Sequence, residues 1–353
     1  MSDWQKAREI LLQGGVVAVP TETVFGLLGR ADRPEVIHRI YSVKGRPADK
    51  PLVLMVPDLE TARRYGEFNP AAQRLAERFW PGPLTLVVPA TPHAPQALVA
   101  HGTIGIRVPD HPKLLQLLRA LAGVPVASTS ANPSGAPPAQ QPEEVQRALG
   151  EAVDLVVPEP AGGQPPSTVV RTSEDPPRVL RKGALPVLAL EEALEQEVRL
   201  APDQTFHVLY LCTGNTCRSP MAEWITKHLM TPGVRSHLAV LSAGTDAVTG
   251  SPIHPDAARV LEEVGIQVRG HRAQPLTPTL VQWADVIYGM EYRHVEAAKK
   301  QGAGVKARLF GEKTVGEIPD PIGQGVMFYR MVRDALLETI RKVIYPYLER
   351  KWQ

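Results

Sequence analysis

The sequence predicts an α/β protein of two domains, the second of which is built on a doubly wound parallel sheet. The length of 353 residues is that of two typical domains. Short apolar runs rich in Val, bounded by Pro or Gly, alternate with helical patterns in both halves. An acidic helical stretch with proline on both sides separates the halves and is typical of a linker. These observations place the domains at residues 1–185 and 206–353, with the linker at residues 186–205.

The first domain begins with a helix and continues with short strands. The helix is predicted from Asp3 to Leu12, because Ser2 and Gln5 have the spacing of a capping box and Gly14 ends the apolar periodicity. Six apolar runs predict strands, with helical patterns between several of them; they cover residues 16–19, 52–56, 84–88, 104–108, 124–127 and 153–157. The mixture predicts an α/β sheet of irregular topology.

The second domain shows a regular alternation of strands and helices. Strands are predicted at residues 207–211, 238–242, 284–288 and 306–309. Helices are predicted after them, at residues 218–230, at 255–264, from 291 onwards and at 325–345. Because each strand is followed by a helix, the pattern favours parallel strands in a doubly wound sheet.

Charge and cysteine content exclude several classes of protein. The formal net charge is +2, and residues 1–200 contain 21 basic and 22 acidic side chains, which argues against nucleic-acid binding by bulk charge. Two cysteines, Cys212 and Cys217, are too few for a disulfide-stapled secreted scaffold and fit a reducing compartment. No apolar run approaches the ~18 residues of a membrane span, and no signal-peptide core is seen. We therefore expect a soluble cytoplasmic protein with no membrane partner.

The loop that opens the second domain has the pattern of a phosphate-binding site with a nucleophile. An apolar strand leads to Cys212, and five residues later Arg218 and Ser219 begin a helix. The backbone N–H groups of the loop and the helix N-terminus can surround an oxyanion, and Arg218 can bind two of its oxygens. The same field favours the thiolate of Cys212, to which Ser219 can donate a hydrogen bond. The intervening loop residues are Thr213, Gly214, Asn215, Thr216 and Cys217, and the tight turn of this loop is predicted at Gly214. A structural cysteine beside a capping turn is the simpler alternative, but the spacing and context favour the catalytic interpretation.

This loop and later segments resemble the low-molecular-weight protein tyrosine phosphatase family over residues 206–350. The matching segments include SAGT at 242–245, ADVIYGM at 284–290 and IPDPIGQG around Asp320. The resemblance implies a metal-free phosphatase acting on a phosphoprotein, with Cys212 as nucleophile, Arg218 as phosphate ligand and Asp320 as general acid. Thr216 stands where tyrosine-directed members usually have an aliphatic residue, so the loop resembles the protein-arginine phosphatase branch. Ile322 departs from the aromatic residue that is usual after the Asp-Pro pair.

Two other functions of the second domain stay open. A protein tyrosine phosphatase is the main alternative to an arginine phosphatase. An arsenate reductase is less compatible, because that reaction needs a resolving cysteine remote from the loop and only Cys217, inside the loop, is present besides Cys212. Cys217 is also positioned in sequence to form a protective disulfide with an oxidised Cys212.

The first domain combines basic groups and hydroxyls from separate loops. Its segments are PTET at 20–23, KGRPADKPL at 44–52, GIRVP at 105–109, SAN at 130–132, STVV at 167–170 and VLRKG at 179–183. Arginine side chains bind carboxylates and phosphates, and Ser, Thr and Asn side chains orient polar ligands. The set therefore predicts a site for polyanionic and zwitterionic ligands.

These segments resemble the YrdC/Sua5 family of threonylcarbamoyl-AMP synthases over residues 5–185. The resemblance implies that L-threonine, bicarbonate and ATP with Mg²⁺ yield threonylcarbamoyl-adenylate and pyrophosphate, and that downstream machinery transfers the product to adenosine 37 of tRNA. It implies that Thr21 lies near threonine, that Arg107 holds the threonine carboxylate, and that Lys44 and Arg46 face phosphates and carboxylate. The nucleotide side would be lined by Ser130, Asn132, Ser167 and Arg181. Phe25 stands where many members have Tyr.

A binding module without catalysis is the alternative for the first domain. The fold that the resemblance implies has a basic concave face, which could hold double-stranded RNA. The even balance of basic and acidic side chains over residues 1–200 weakens this hypothesis.

Overall fold

The computed structural model describes residues 1–47 and 50–353, which divide into two compact units. The first unit comprises Met1–Leu185 and Leu190–Val198, and the second comprises Pro186–Ala189 and Arg199–Gln353. Ala48 and Asp49, inside the predicted segment 44–52, lie outside the described residues. Each unit is described by itself.

The first unit is a mixed sheet covered by helices. Its strands are β1 Val17–Val19, β2 Gly26–Arg30, β3 Val53–Met55, β4 Leu84–Pro89, β5 Thr103–Arg107, β6 Val126–Ser130, β7 Leu155–Val156, β8 Thr168–Arg171 and β9 Arg178–Arg181. Its helices are α1 Asp3–Gln13, α2 Pro34–Lys44, α3 Leu59–Tyr65, α4 Pro70–Phe79, α5 Pro112–Ala120 and α6 Pro142–Leu149. The order β9-β8-β4-β5-β3-β6-β2-β1-β7 mixes parallel and antiparallel pairs. The predicted irregular α/β sheet is confirmed.

Helix α1 begins and ends as the sequence predicts. Ser2 Oγ accepts a hydrogen bond from the Gln5 backbone, and the Gln5 side chain accepts one from the Ser2 N–H, so the capping box is formed. Gly14 ends the helix in the left-handed conformation at φ 90°. Ala7 and Leu11 of α1 pack in a core cluster that also contains Leu114 of α5.

Three strands of the first unit were missed by the sequence analysis. Strand β2 has the sequence GLLGR, in which two glycines remove the Val-rich signal, and β8 and β9 have four residues each with arginine at an end. Their pairing with neighbours supplies what local propensity lacks: β2 lies between β1 and β6, and β8 lies between β4 and β9. Strand propensity depends on context, so whether such a short segment forms a strand is decided by its pairing in the sheet.

The residues between the two predicted domains contain helix α7, Val187–Leu194, and strand β10, Arg199–Leu200. The acidic helical pattern of this stretch therefore corresponds to a real helix of eight residues.

The second unit is a doubly wound parallel sheet, as predicted. Its strands are β11 Phe206–Cys212, β12 Leu238–Gly244, β13 Val286–Gly289 and β14 Ala307–Leu309. They are all parallel and run in the order β12-β11-β13-β14. The helices are α8 Arg218–Leu229, α9 Pro232–Arg235, α10 Pro255–Glu262, α11 Pro278–Trp283, α12 Tyr292–Lys300, α13 Val326–Thr339 and α14 Tyr345–Glu349. A π-helical turn, Ile340–Ile344, joins α13 to α14.

The strand order places the first loop of this unit at the point where ligands bind in such sheets. Strand β11 is central, with β12 on one side and β13 on the other. The chain winds in opposite directions from β11, so the loops at its carboxyl end diverge and leave a crevice there. Cys212, the last residue of β11, is delivered to this crevice.

Within the described residues, no helix combines the length and the apolar character that crossing a membrane requires.

Candidate active sites

The first unit contains a cavity of about 140 Å³ that brings together six of the eight predicted binding residues. They come from different loops and strand ends, and they are Thr21, Arg46, Arg107, Ser130, Ser167 and Arg181. The sheet therefore collects side chains that are up to 160 residues apart in sequence. Phe25 also lines the cavity and supplies an apolar wall.

Three arginines give this cavity its positive charge. Arg181 donates to the carbonyl oxygen of Ser167 at 2.8 Å and to the Ser167 hydroxyl at 3.1 Å. Both of these acceptors are neutral. Partial loss of hydration at the cavity wall, together with the charges of Arg107 and Arg46, lowers the pKa of Arg181. Guanidinium groups that repel one another in this way are stabilised by an anion between them, so the cavity suits phosphates or carboxylates.

Arg107 is partnered by a residue that the sequence analysis did not select. Its Nη2 donates to Glu22 Oε1 at 2.7 Å and to Thr23 Oγ1 at 3.0 Å. The two side chains of this ion pair are 8% and 10% exposed. Glu22 belongs to the PTET segment, of which the sequence analysis chose Thr21. The Thr21 hydroxyl donates to Val24 O at 2.7 Å and so stabilises the turn as well as lining the cavity.

Lys44 and Asn132 are not among the residues that line the cavity, which differs from the sequence-based expectation. Lys44 is buried, and its ammonium group donates to the backbone carbonyls of Ser130 and Asn132. Burial, with a smaller effect of Arg46, lowers the pKa of Lys44 to about 8. Asn132 donates from Nδ2 to Pro133 O and Ala136 O. Both side chains therefore hold the loop after β6 in shape and act on the cavity through it.

The loop after β11 in the second unit places the predicted nucleophile next to a hydroxyl donor. Cys212 Sγ lies 3.0 Å from Ser219 Oγ, which is on the first turn of α8. Asn215 Nδ2 donates to that hydroxyl at 2.9 Å. Among the residues that the structure describes, the backbone N–H groups of residues 213–217 donate to no other backbone group. Several donors are thus left for one anion above Cys212.

Asn215, not Gly214, adopts the strained conformation in this loop. Asn215 has φ 53°, in the left-handed region, and its fully buried side chain donates to Ser242 Oγ and accepts from the Gln274 N–H. A Cβ at Gly214 would meet only ordinary contacts. The close approach that requires glycine is at Gly244, where a Cβ would lie 2.3 Å from the Thr213 carbonyl oxygen. The sequence analysis assigned the turn to the wrong residue because Asn tolerates this conformation when its side chain is well bonded.

Arg218 is buried and held between two carboxylates. Its Nη1 donates to Glu291 and, at 2.9 Å, to Ile318 O. Its Nη2 donates to Asp320 Oδ2 at 2.5 Å and contacts Thr213 Oγ1 at 3.4 Å. The side chain is 1% exposed, so without these partners its charge would be strongly unfavourable. The structure thus brings Cys212, Arg218 and Asp320 into one cluster.

Glu291 and His294 belong to this site and were missed by the sequence analysis. They are at the beginning of α12, where the Glu291 N–H donates to His294 Nδ1 at 3.1 Å. His294 Nε2 lies 2.9 Å from Thr213 Oγ1. Burial, followed by the charge of Arg218, lowers the pKa of His294 to about 4. The one feature of the sequence that could have indicated Glu291 and His294 is their position shortly after the matched segment 284–290.

The remaining predicted residues lie around this cluster. Thr216 is half-buried, with Oγ1 at 3.6 Å from Cys217 Sγ, and its carbonyl accepts from the His254 N–H. Cys217 is buried and free; its Sγ lies 3.4 Å from Tyr329 Oη, and burial raises the pKa of its thiol. Ile322 is 56% exposed.

Comparison with known proteins matches each unit to a different family. The family model Sua5/YciO/YrdC, described as telomere recombination, matches residues 9–183. The model for low-molecular-weight phosphotyrosine protein phosphatases matches residues 207–353.

The curated sequence relatives include threonylcarbamoyl-AMP synthases. One from Bacillus subtilis (strain 168) is 40% identical over 184 residues, which are 51% of this chain and 53% of that protein. One from Marinobacter nauticus is 38% identical over 168 residues, which are 46% of this chain and 88% of that protein. The chain spans about half the length of the first curated relatives it matches.

Solved structures resemble the chain in two ways. The crystal structure of Pyrococcus abyssi Sua5 complexed with L-threonine is 24% identical, with a TM-score of 0.54 and coverage of 97% of this chain and 96% of that one. The YwlE arginine phosphatase from Geobacillus stearothermophilus is 32% identical, with a TM-score of 0.38 and coverage of 41% of this chain and 94% of that one. The chain belongs to the Sua5/YciO/YrdC family, and its C-terminal part is a low-molecular-weight phosphotyrosine protein phosphatase domain.

His294 predicts a pH dependence of stability. The pKa of His294 is about 4 in the folded protein and near the ordinary histidine value of 6.5 in the unfolded chain, so the unfolded chain binds more protons between these values. The stabilisation from His294 is therefore complete above pH 6.5 and is lost as the pH falls towards 4. Urea unfolding of the wild type and of His294→Gln should show a stability difference that shrinks over this window. The exposed His228→Gln is the control, and parallel curves for wild type and His294→Gln would contradict the assignment.

Proposed function

We propose that this chain is a bifunctional enzyme. Residues 1–185 make threonylcarbamoyl-AMP from L-threonine, bicarbonate and ATP, residues 206–353 hydrolyse phosphoproteins, and residues 186–205 link the two domains. The first activity rests on the convergence of three arginines and several hydroxyls on one cavity. The second rests on Cys212, which lies beside Ser219 in a loop whose N–H groups donate to no backbone carbonyl of the described residues. The named relatives of the first domain support the same reaction.

The cavity of the first domain suits the substrates of this synthase. Arg107 is the carboxylate ligand for threonine, and the buried Glu22 keeps its guanidinium in place. Arg46 and Arg181 bind the phosphates, while hydroxyls of Thr21, Ser130 and Ser167 orient the ligands. Lys44 and Asn132 position the wall formed by the loop after β6.

Magnesium enters this proposal with ATP. In the described part of the chain, no group of three or more His, Cys, Asp and Glu side chains is arranged to hold a metal ion. Mg²⁺ commonly bridges phosphates and keeps several waters, so a nucleotide-bound ion needs no protein cage. The adenylate product is consumed by enzymes that modify adenosine 37 of tRNA. Because Cys212 must stay reduced to act, we place the protein in the cytoplasm.

The second domain hydrolyses its substrate in two steps. The Cys212 thiolate attacks phosphorus and forms an S–P bond as the bond to the leaving group breaks, and Asp320 supplies the proton that the leaving group takes up. Asp320 then removes a proton from water, whose oxygen attacks phosphorus and releases the thiolate. The loop N–H groups and Arg218 stabilise the phosphoryl oxygens in both steps, and no metal is required. Ser219, held by Asn215, turns its hydroxyl hydrogen from the Ala243 carbonyl oxygen to the thiolate when the thiolate leaves.

Phosphoarginine is the substrate that Thr216 favours. The leaving group of phosphoarginine is a guanidinium whose N–H donors need acceptors. The half-buried hydroxyl of Thr216 is an acceptor at the loop that carries the nucleophile, whereas an aliphatic residue there would leave such a donor unpaired. Ile322 presents no aromatic ring to a phosphotyrosine substrate.

Replacing Arg107 tests the synthase. Arg107→Ala removes the carboxylate partner and leaves Glu22 buried without its cation, so threonine-dependent pyrophosphate release should fall by a factor that corresponds to about 2–5 kcal/mol. The measurement is pyrophosphate release with and without threonine, with the exposed Arg119→Ala as control. Threonine-independent release by the folded wild type, or none at all, would contradict the proposal.

Replacing Cys212 and Asp320 tests the phosphatase. Cys212→Ser should fold and be inactive, because the serine hydroxyl is a far weaker nucleophile than a thiolate. Asp320→Asn should lower turnover by roughly 10²–10⁴, the usual contribution of a general acid. Phosphate release is measured on phosphorylated peptides, and the buried Cys217→Ser is the matched control for loss of a thiol. An active Cys212→Ser would exclude this mechanism.

Replacing Thr216 tests the substrate class. Thr216→Ile should lower kcat/KM for phosphoarginine peptides by about 5- to 150-fold, the cost of one unpaired donor, while activity on phosphotyrosine peptides is kept or rises. Thr216→Ser keeps the hydroxyl and should keep the preference. An unchanged ratio of the two kcat/KM values in Thr216→Ile would favour a general protein phosphatase or a tyrosine phosphatase.

A further inference from the structure

Thr213 carries a hydroxyl whose partners in the site are both donors. It follows Cys212 directly, and Oγ1 lies 2.9 Å from His294 Nε2 and 3.4 Å from Arg218 Nη2. Among the residues that the structure describes, these are the contacts of that hydroxyl. The backbone N–H of Thr213 belongs to the proposed phosphate-binding loop, whereas its side chain has no role in the two proposed steps.

The tautomer of His294 decides the direction of the first contact. The backbone N–H of Glu291 donates to Nδ1, so Nδ1 has to be the unprotonated, accepting nitrogen. The low pKa of His294, caused by burial and by Arg218, keeps the ring neutral near pH 7. The single ring hydrogen is therefore on Nε2, which donates to Thr213 Oγ1.

The second contact has the same direction, because a guanidinium group only donates. Thr213 Oγ1 thus accepts from both neighbours, and its own hydrogen is left for a further acceptor. The hydroxyl oxygen lies 3.4 Å from Arg218 Nη2, the atom that also contacts Asp320. An acceptor that arrives at Arg218 with the substrate therefore comes within reach of the Thr213 hydroxyl.

We propose that Thr213 is a phosphoryl-binding residue, whose hydroxyl donates a hydrogen bond to an oxygen of the bound phosphoryl group while His294 fixes its orientation. This inference rests on the proposed phosphatase function and adds one side-chain donor to the loop N–H groups and Arg218. The two donors to Oγ1 polarise the hydroxyl and strengthen the bond that it gives. His294 acts through Thr213 and is a positioning residue.

The inference is tested by phosphate binding and by turnover with matched variants. Thr213→Val keeps the branched shape and removes the hydroxyl, whereas Thr213→Ser keeps the hydroxyl; the exposed Thr279→Val is the control. Binding of inorganic phosphate is measured by calorimetry in the full-length Cys212→Ser protein, with and without each Thr213 change. Turnover of p-nitrophenyl phosphate is measured in proteins that retain Cys212.

We expect Thr213→Val to weaken phosphate binding by about 5- to 150-fold and to lower kcat/KM over a similar range, with Thr213→Ser close to wild type. Unchanged phosphate binding in Thr213→Val overturns the inference. If that variant fails to fold by circular dichroism, Thr213→Ala is measured in its place and judged by the same outcomes. If the wild type has no phosphatase activity but phosphate binding still depends on the Thr213 hydroxyl, the proposed function fails and the assignment of Thr213 stands.

Discussion

A buried guanidinium group needs a carboxylate partner, and this constraint organises both sites. Moving an isolated charge out of water costs several kcal/mol. A buried arginine that binds a phosphate or carboxylate ligand therefore needs a counter-charge when the ligand is absent. Arg107 is paired with Glu22, and Arg218 is paired with Glu291 and Asp320. Arg107 is the last residue of β5 and Arg218 is the first residue of α8, and in both cases the acids come from other parts of the chain.

The two sites use this constraint differently. In the first domain Arg107 has Glu22 as its carboxylate partner, whereas Arg181 donates to neutral oxygens of Ser167, so an incoming anion meets positive charge at Arg181. In the second domain Asp320 is both a partner of Arg218 and the proposed acid. The same contact therefore balances the charge of Arg218 and fixes the position of the proposed acid.

Hydrogen-bond direction adds the specificity that charge alone lacks. The N–H groups of residues 213–217 can only donate, and the fixed tautomer of His294 leaves the Thr213 hydroxyl as a donor too. The loop therefore presents hydrogens to whatever lies above Cys212 and suits an anion that accepts from every side. Asn215 holds the loop in this shape by bonding Ser219, Ser242 and Gln274 from one buried amide.

Much of the fold and one of the two sites follow from the sequence alone. The alternation of apolar runs predicts the parallel second domain, since periodicity reports burial directly, and the short spacing from Cys212 to Ser219 makes that loop a local feature. Strand β2, the ion pair of Arg107 with Glu22 and the contacts of Arg218 with Glu291 could not be predicted, because each joins segments that are distant in the chain. Local propensity also predicted the turn at Gly214. The left-handed conformation is found at Asn215 instead, where hydrogen bonds to Ser242 of β12 and to Gln274 stabilise it. The sequence by itself determined the two domain types and the loop that carries the proposed nucleophile. Only the tertiary structure decided which charges meet, because charge pairing depends on through-space distance and burial.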